Sequence, residues 1–314
     1  MVKTSFRIGT LEFKNRVLVA SGTFGYGDEC TDLVDVNRLG GIITKSLSMN
    51  PRDGNPPRRI FETASGMLNS IGLANIGVKR FITEKLPFLR TLDTTIIANI
   101  AASTVDEYCA VLEVLETEEG VDGYEINVSC PNVKEGGLTF GTSVERTEEI
   151  TRRLRPRTKK PLILKLTPNV THISDFARAV EGAGADAVSA INTLIGMAVD
   201  IRTRKPLLPT VTGGLSGPAI KPVALAKVYE AARAVKIPVI GIGGIMSAAD
   251  AIEFLMVGAT AVEIGTANYV DPGIAVKIAD GIIQFCEERE LGDVGSLVGT
   301  LDAKEKVSVV DTWL

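Results

Sequence analysis

The sequence predicts an α/β protein, a (β/α)8 TIM barrel, and three observations support this fold class. Eight short runs rich in Val and Ile recur along the chain, with amphipathic helical stretches between them. Most runs are apolar almost throughout, which is typical of parallel strands that are covered by helices. The length of 314 residues is also close to the usual size of one such barrel. The predicted strands are 16–22, 40–48, 94–103, 123–130, 161–168, 187–193, 238–245 and 261–267.

The segments around these strands fit the same architecture. Residues 5–16 have the pattern of a β-hairpin, of the kind that plugs the bottom of a barrel. Long loops follow strand 2 at 49–75, strand 4 at 131–142 and strand 6 at 194–218. Such loops at the carboxyl ends of barrel strands are where binding sites are built. No internal repeat or linker interrupts the pattern, so residues 1–314 are predicted to form a single domain.

Composition and charge exclude several classes of function. A hydrophobic content of 45% allows one substantial core, and a net charge of −4 argues against a nucleic-acid partner. No run of 18 apolar residues is present, so we expect no membrane span. The N-terminal segment is too polar for a signal peptide.

The four cysteines and the single histidine limit the chemistry further. Cys30, Cys109, Cys130 and Cys286 are far apart and form no C-x-x-C pair. This spacing argues against a zinc ribbon or an iron–sulfur site, so we expect no metal, and it fits a reducing cytoplasm. His172 stands at a predicted helix start, which argues against a histidine-driven triad. A general base must therefore come from another residue type.

Polar residues occur at the carboxyl ends of most predicted strands. One asparagine in such a place is most simply a capping or turn residue. Polar residues at matching ends of six successive strands are hard to explain by packing, and we expect them to converge on one mouth of the barrel. They are Ser21, Lys45, Asn99, Asn127, Lys165 and Asn192.

The last two strands end in small residues instead. Gly243 and Gly244 follow strand 7, and Gly265 and Thr266 follow strand 8. Barrels commonly bind a phosphate between these two loops, because backbone N–H groups can approach an anion closely there. Either glycine group alone is weak evidence, since βα turns favour glycine. The two together predict a phosphate site.

Two lysines, Lys45 and Lys165, interrupt apolar strands. An uncompensated buried ammonium costs several kcal/mol, so each lysine needs a partner. One explanation is an ion pair with a buried carboxylate, for which Glu125 and Glu263 are candidates. The other, which we favour, is a ligand that requires cations at its rim.

Cys130 lies at the end of the fourth predicted strand, and the glycine-rich loop 131–142 follows it. The commonest fate of a free cysteine is that of an inert core residue. A structural cysteine needs no flexible loop behind it, whereas a cysteine that meets substrate beneath a closing loop does. A free thiol with a pKa of about 8.5 is partly ionised at neutral pH, and nearby cations increase that fraction. Cys130 is therefore the candidate general base.

Nine short motifs occur in order along the chain, within a stretch of resemblance that runs from about residue 5 to about residue 290. They are "TKSLS", "GMLNSIGLAN", "ANIAAS", "NVSCPN", "LKLTPNV", "INT", "GGLSGPAIKP", "GIGGI" and "IGTA". Together they resemble class 1 dihydroorotate dehydrogenases. Within that class, "CPNVKEGGLTFG" is similar to type B, the catalytic subunit that works with a separate electron-transfer subunit. Class 2 enzymes carry serine where this chain has Cys130, and they have an N-terminal extension that this chain lacks.

The resemblance implies one FMN per chain and dihydroorotate as the substrate. The positions that match the flavin contacts are Ser21, Gly22, Lys45, Ser46, Asn99, Asn127, Lys165, Ile191, Gly217, Gly243, Gly244, Gly265 and Thr266. The positions that match the substrate contacts are Lys45, Asn69, Ser70, Ile71, Gly72, Leu73, Asn127, Asn132, Asn192 and Thr193.

The resemblance also implies a mechanism and an assembly. Cys130 takes a proton from ring carbon 5, carbon 6 delivers hydride to flavin N5, and Lys165 stabilises negative charge near flavin N1. The family's type B chains form a homodimer joined to two copies of an FAD- and 2Fe–2S-bearing subunit, a heterotetramer with NAD as final acceptor. The reaction belongs to pyrimidine (UMP) biosynthesis.

Three positions depart from the family pattern. Ala74 stands where a longer side chain, often Gln, is expected, and Phe61 and Ser65 replace more usual small or charged residues. None of them is expected to carry catalysis.

Four alternative functions remain open from the sequence. A type A-like homodimer would pass electrons to fumarate, although the loop after Cys130 argues against it. A dihydropyrimidine dehydrogenase-like domain would need cluster ligands on a partner. A non-redox phosphate-binding barrel, isomerase- or aldolase-like, would use the glycines for a substrate phosphate. A scaffold role would leave the two strand lysines unexplained.

Overall fold

The computed structural model describes residues 1–129 and 140–303, and its centre is a closed barrel of eight parallel strands. Each barrel strand pairs with its neighbours in sequence, and the last pairs with the first. Every one of the eight predicted strands contains one of them, so the predicted (β/α)8 fold is confirmed. The barrel strands are β1 (Val17–Val19), β2 (Gly41–Ile43), β3 (Thr95–Ile100), β4 (Gly123–Asn127), β5 (Leu162–Leu166), β6 (Ala187–Ala190), β7 (Val239–Ile242) and β8 (Ala261–Ile264).

Helices cover the outer face of the barrel. Several begin at a residue whose side chain accepts a hydrogen bond from the first turn, as Thr104, Ser143 and Ser247 do. The α-helices are α1 (Gly77–Arg80), α2 (Leu86–Leu89), α3 (Val105–Glu116), α4 (Val144–Leu154), α5 (Ile173–Gly182), α6 (Lys221–Ala234), α7 (Ala248–Met256), α8 (Ala267–Val270) and α9 (Ile274–Glu288).

Shorter helical turns complete the connections. A π-helical turn joins α1 to α2, and two 3-10 turns form the connection after β1, which contains no α-helix. His172 is the residue before α5 and its side chain is exposed. The π turn is Phe81–Lys85, and the 3-10 turns are Asp28–Cys30, Val36–Arg38, Phe140–Thr142, Arg155–Arg157, Pro218–Ile220 and Val294–Leu297.

The predicted N-terminal hairpin closes the bottom of the barrel. Its strands, Phe6–Ile8 and Leu11–Phe13, pair in antiparallel fashion. The rings of Phe6 and Phe13 stack with centroids 4.5 Å apart. They share one buried cluster with the inward-facing residues nearest the amino ends of the strands. That lower tier consists of Leu18, Ile43, Ile97, Ile163, Ala187, Ile240 and Ala261.

The long loops after β2 and β6 are more ordered than the sequence indicated. They pair with each other in an antiparallel sheet above the mouth of the barrel, which we call the cap sheet. Its two edge strands alternate in burial, as expected for a sheet with one solvated face. In order across the sheet they are Leu194–Met197, Thr212–Ser216, Gly66–Asn69 and Ile60–Thr63, and Val199–Asp200 pairs with Lys205–Pro206 beside them.

A run of basic residues lies at 152–160, between α4 and β5. Most of its side chains have carboxylate partners, for example Arg155 with Asp186 at 2.5 Å and Arg157 with Glu113 at 2.8 Å.

Among residues 1–129 and 140–303, none of the helices combines the length and the apolar character that crossing a lipid bilayer requires.

Candidate active site

A cavity of about 650 Å³ opens at the carboxyl ends of the barrel strands, beneath the cap sheet. This volume is in the range of small-molecule and cofactor sites. Nineteen of the residues predicted from the sequence line it, so the expected convergence at one mouth is present. They are Ser21, Gly22, Lys45, Ser46, Asn69, Ser70, Ile71, Gly72, Leu73, Asn127, Lys165, Ile191, Asn192, Thr193, Gly217, Gly243, Gly244, Gly265 and Thr266.

Two predicted residues, Cys130 and Asn132, lie outside the described residues, as does the loop from 131 to 139. Strand β4 ends at Asn127, which lines the cavity, and Ser129 lines it as well. The roles assigned to Cys130 and Asn132 therefore stay predictions.

The interior of the barrel becomes polar toward the cavity. Alternate residues of each strand face the same side, so the barrel core is built in tiers. The lower tier is apolar, whereas the tier two residues further along carries charged and amide groups. The polar members of this middle tier are Lys45, Asn99, Glu125, Lys165, Ser189 and Glu263.

Lys165 lies between two buried carboxylates. Its Nζ is 3.1 Å from Glu125 Oε1 and 3.1 Å from Glu263 Oε2. Burial alone would lower the pKa of Lys165, but the two carboxylates raise it above its ordinary value, so the side chain stays an ammonium. Of the two explanations for the strand lysines, the carboxylate pairing therefore applies to Lys165, although we favoured a ligand. Lys165 also lines the cavity, so the pairing does not remove it from the site.

Asn99 lies behind Glu125 rather than on the cavity wall. Its Nδ2 donates to Glu125 Oε1 at 2.6 Å, and its side chain is fully buried. Its Oδ1 is buried without a hydrogen-bond partner among the described residues. Direct contact between Asn99 and a flavin stays a prediction. In the structure, Asn99 lies beneath the residues that line the cavity and holds Glu125 in place.

Lys45 has no carboxylate within ion-pair distance among residues 1–129 and 140–303. A Cβ placed on Gly22 would lie 3.7 Å from Lys45 Nζ, so the ammonium sits against the Gly22 backbone. Burial lowers the pKa of Lys45 from its ordinary value. The lysine also lines the cavity. For Lys45, the explanation that remains is a ligand with acceptor or anionic groups.

Two asparagine amides at the mouth are oriented by the backbone. Asn127 Oδ1 accepts from the Ser129 N–H at 3.1 Å and from Asn192 Nδ2 at 3.1 Å. Asn192 Oδ1 accepts from the Thr193 N–H at 2.8 Å. Because a backbone N–H can only donate, these bonds fix which end of each amide carries the oxygen. The remaining N–H groups are left to donate to a ligand, which favours carbonyl or carboxylate oxygens there.

The glycines at the ends of β7 and β8 form a backbone surface. Gly243 and Gly244 have φ values of 124° and 74°, which favour glycine. A Cβ on Gly243 would lie 2.9 Å from the Cβ of Ala224, and one on Gly244 would lie 2.7 Å from the Cβ of Lys221. A Cβ on Gly265 would meet only Ala20, at 3.8 Å. Such a side-chain-free cradle suits the close approach of a phosphate.

Hydroxyl groups stand beside this cradle. Thr266 Oγ1 donates to Ser216 Oγ at 2.8 Å, and both residues line the cavity. Gly217 follows Ser216 with a φ of 91°. These hydroxyl groups can donate to phosphate oxygens.

Asn169 is one of the lining residues that the sequence reasoning missed. Asn169 Nδ2 donates to the carbonyl of Thr193 at 3.1 Å, and its Oδ1 accepts from the Ile195 N–H at 3.0 Å. Asn169 therefore ties the end of β5 to the first cap-sheet strand after β6. Its position within the motif "LKLTPNV" was the available signal, but its partners are distant in sequence.

Comparisons with known proteins identify the family of this chain. A family model described as dihydroorotate dehydrogenase matches residues 3–286. A "Dihydroorotate dehydrogenase B (NAD(+)), catalytic subunit" of Trichlorobacter lovleyi is 54% identical over 298 residues, which is 95% of this chain and 98% of that protein. A protein of the same name from Bacteroides thetaiotaomicron is 47% identical over 302 residues, covering 96% of this chain and 100% of that protein.

A solved structure is similar in fold. The crystal structure of DHODH from Eimeria tenella in complex with ferulenol has a TM-score of 0.79, and the match covers 95% of this chain and 88% of that one. At 21% sequence identity, this likeness shows the fold alone. The family assignment depends instead on the family model and on the curated relatives. On that evidence, the chain belongs to the dihydroorotate dehydrogenase family.

Proposed function

We propose that this chain is a catalytic subunit that oxidises (S)-dihydroorotate to orotate in pyrimidine biosynthesis, with FMN as its bound flavin and NAD as the final electron acceptor. The observation that carries the proposal is the cavity at the barrel mouth. It brings together the glycine cradle, the ammonium groups of Lys45 and Lys165, and two oriented asparagine amides. The family to which the chain belongs and the printed names of its relatives support the same reaction.

The residues present fit an FMN. Gly243 and Gly244 would hold the phosphate tail with Gly217 beside them, because backbone N–H groups can approach an anion closely where no side chain intervenes. Lys165 would face the ring, where a fixed ammonium favours the negative charge of a reduced flavin. When bound, FMN supplies the two-electron acceptor for dihydroorotate. The other proposed contacts are Ser21, Gly22, Lys45, Ser46, Asn99, Asn127, Ile191, Gly265 and Thr266.

The substrate would lie against the amide groups of the mouth. Asn127 and Asn192 present N–H groups that suit the carbonyl and carboxylate oxygens of dihydroorotate. Lys45 offers an ammonium with no competing carboxylate among the described residues, which suits a substrate carboxylate or a flavin carbonyl. The stretch 69–73, Asn132 and Thr193 complete the proposed contacts.

Cys130 is proposed to act as the general base. Its Sγ takes the proton from ring carbon 5 as hydride leaves carbon 6. This role depends on the sequence context, three residues beyond the end of β4, because the residue itself lies outside the described ones. A partly ionised thiol at neutral pH is a competent base for this proton.

The proposed assembly is a homodimer joined to an electron-transfer subunit that carries FAD and a 2Fe–2S cluster. The printed names of the relatives, with "catalytic subunit" and "NAD(+)", support a partner and favour NAD over fumarate. The location in the cytoplasm, expected from the cysteine spacing, stays a prediction.

The proposal can be tested on the purified protein. We expect a yellow preparation that holds one FMN per chain and whose flavin is bleached by dihydroorotate under anaerobic conditions. Reoxidation should be slow with NAD alone and fast with NAD plus the partner subunit. Fast reoxidation by fumarate would indicate the type A alternative. A protein that stays colourless and takes up no FMN would contradict the proposal and favour a non-redox barrel.

A further inference from the structure

One ammonium and two carboxyl groups are enclosed together in the middle tier of the barrel. We call Glu125, Lys165 and Glu263 the buried trio. Glu125 and Glu263 are 0% exposed and Lys165 is 5% exposed. If both carboxyl groups were ionised, the trio would carry a net negative charge away from water. An uncompensated buried charge is costly, and such groups usually neutralise instead.

The hydrogen bonds around the two carboxyl groups are unequal. Glu125 accepts from three side chains: Asn99 at 2.6 Å, Ser189 at 2.8 Å and Lys165 at 3.1 Å. Glu263 accepts from Lys165 at 3.1 Å, and its second oxygen, Oε1, has no acceptor bond from any described residue. Donors stabilise an ionised carboxylate. The negative charge is therefore better supported on Glu125.

The two carboxyl groups are also neighbours, since each lies 3.1 Å from the same Lys165 Nζ. Two ionised carboxylates this close together repel each other away from water, and a proton on one of them removes that repulsion. Burial and the charge of Glu125 raise the pKa of Glu263 well above its ordinary value. Burial opposes ionisation of Glu125 too, but Lys165 and the hydrogen-bond donors hold the pKa of Glu125 below its ordinary value.

We propose that Glu125 is the ionised partner of Lys165 and that Glu263 carries a proton at neutral pH. The buried trio is then neutral as a whole. Glu125 and Glu263 act as positioning residues, because together they hold the Lys165 ammonium at the floor of the cavity. The position of that ammonium beneath a flavin rests on the proposed function, whereas the protonation of Glu263 does not.

Infrared spectroscopy tests the proton directly. At about pH 8, exposed carboxyl groups are ionised, so a protonated carboxylic acid gives an isolated carbonyl band. We expect this band in the wild-type protein and its loss in Glu263→Gln. Glu287→Gln is the matched control, since Glu287 is exposed on α9 and should leave the band unchanged. In Glu125→Gln the band should also disappear, because Glu263 becomes the only counterion of Lys165 and ionises.

Thermal stability separates the two glutamates. Glu263→Gln keeps an uncharged acceptor for Lys165, so its melting temperature at about pH 5 should stay within about 2 °C of the wild type. Glu125→Gln removes the carboxylate that accepts hydrogen bonds from three side chains, and it should lower the melting temperature by about 5–10 °C. If Glu125→Gln does not fold, the infrared comparison of the wild type with Glu263→Gln still decides the question.

The pH dependence gives a further readout with a definite sign. The unfolded chain releases the Glu263 proton above a pKa of about 4.3, whereas the folded protein keeps it, so this group costs stability increasingly as the pH rises. Glu263 accepts a hydrogen bond from Lys165, which also donates to Glu125, and Glu125 accepts from Ser189 and Asn99 as well. Glu263→Gln leaves these four polar residues in place. The variant should therefore gain stability relative to the wild type from about pH 5 to about pH 8.

Absence of the infrared band from the wild type, or a Glu263→Gln loss of stability as large as that of Glu125→Gln, would overturn the inference. The spectra should be recorded with and without added FMN. A band in a protein that binds no FMN would support the neutral trio and contradict the proposed function. A protein that binds FMN but lacks the band would contradict the neutral trio and leave the proposed function standing.

Discussion

Lys45 and Lys165 occupy the same tier of one barrel, yet their surroundings differ. Lys165 has two carboxyl neighbours at 3.1 Å, and the pKa of its ammonium is raised. Lys45 is half-buried without such a neighbour among the described residues, and partial burial lowers its pKa. A buried cation without a counterion reduces the stability of the ligand-free protein. This suggests that Lys45 is retained for ligand binding, whereas Lys165 is also part of the structure.

Replacing Lys45 with methionine and replacing Lys165 with methionine should therefore change the free energy of unfolding in different directions. Lys45→Met should keep or increase the free energy of unfolding of the ligand-free protein, because a buried charge is removed, and it should weaken dihydroorotate binding at least about tenfold. Lys165→Met should lower the free energy of unfolding by about 3–5 kcal/mol, because Glu125 loses its cation. Denaturant unfolding and substrate titration would measure both variants.

The double variant Lys165→Met/Glu125→Gln serves as the control for that explanation. Removing the Glu125 carboxylate, which has no cation once Lys165 is replaced, should recover part of the stability lost in Lys165→Met. If the single and the double variant lose the same free energy of unfolding, the explanation based on an unpaired Glu125 is wrong.

Cys130→Ala should slow the reduction of bound flavin by dihydroorotate by about 10²–10⁴-fold, the usual contribution of a general base. FMN content should be unchanged, because the thiol is not among the proposed flavin contacts. Anaerobic stopped-flow absorbance measures this rate. Cys30→Ala is the matched control, since Cys30 is half-buried and does not line the cavity. Normal flavin reduction in Cys130→Ala would exclude the thiol as the base.

At the level of elements, the N-terminal hairpin and the cavity are at opposite ends of the barrel. Phe13 is fully buried in the lower tier, while the cavity is lined by the carboxyl ends of the strands. Phe13→Ala should lower the free energy of unfolding by about 3–5 kcal/mol, the usual cost of such a cavity. The number of FMN sites in the folded protein should not change.

Thermal melts and flavin titration at low temperature would check these two effects. Leu11→Ala in the same hairpin is the control, because Leu11 is only half-buried and should cost less. Loss of FMN sites in folded Phe13→Ala would show that the hairpin also shapes the mouth.

The barrel strands were predictable because their residues are apolar on both faces, a local signal. The cap sheet was not, because its pairing joins segments that are distant in sequence: Asn69 Nδ2 donates to the carbonyl of Gly214 across 145 positions. The absence of an α-helix between β1 and β2 in the described residues also left no clear signal in the sequence. Local periodicity therefore predicted the barrel and missed the sheet above it.

For the whole molecule, the closed barrel explains which parts of the site could be predicted. Closure brings all strand ends to one mouth, so polar residues there were predictable as a group. The pairing of Lys165 with both glutamates was not, because β5 is a neighbour of β4 but reaches Glu263 on β8 only across the barrel interior. The sequence listed the candidates, and three-dimensional distances were needed to choose among them.

The proposed homodimer needs an apolar surface, and the cap region offers one. Ile195, Met197, Val199 and Ile201 are all exposed on successive alternate positions. We expect light scattering to give twice the chain mass of 33.4 kDa. The double variant Met197→Glu/Ile201→Glu should shift the mass toward one chain, while Val270→Glu, an exposed change elsewhere, should not. A single-chain mass for the unaltered protein would contradict the homodimer.

The hairpin at the base of the barrel also provides a site for oriented immobilisation of the protein. Thr10 lies exposed at its turn, on the side away from the cavity. In a Cys30→Ala/Cys130→Ala background, whose remaining Cys109 and Cys286 are buried, Thr10→Cys coupled to a sensor chip through its thiol should display the molecules with the mouth toward the solution. Surface plasmon resonance should then record near-complete capacity for orotate, whereas random coupling through lysines should block a fraction of the molecules.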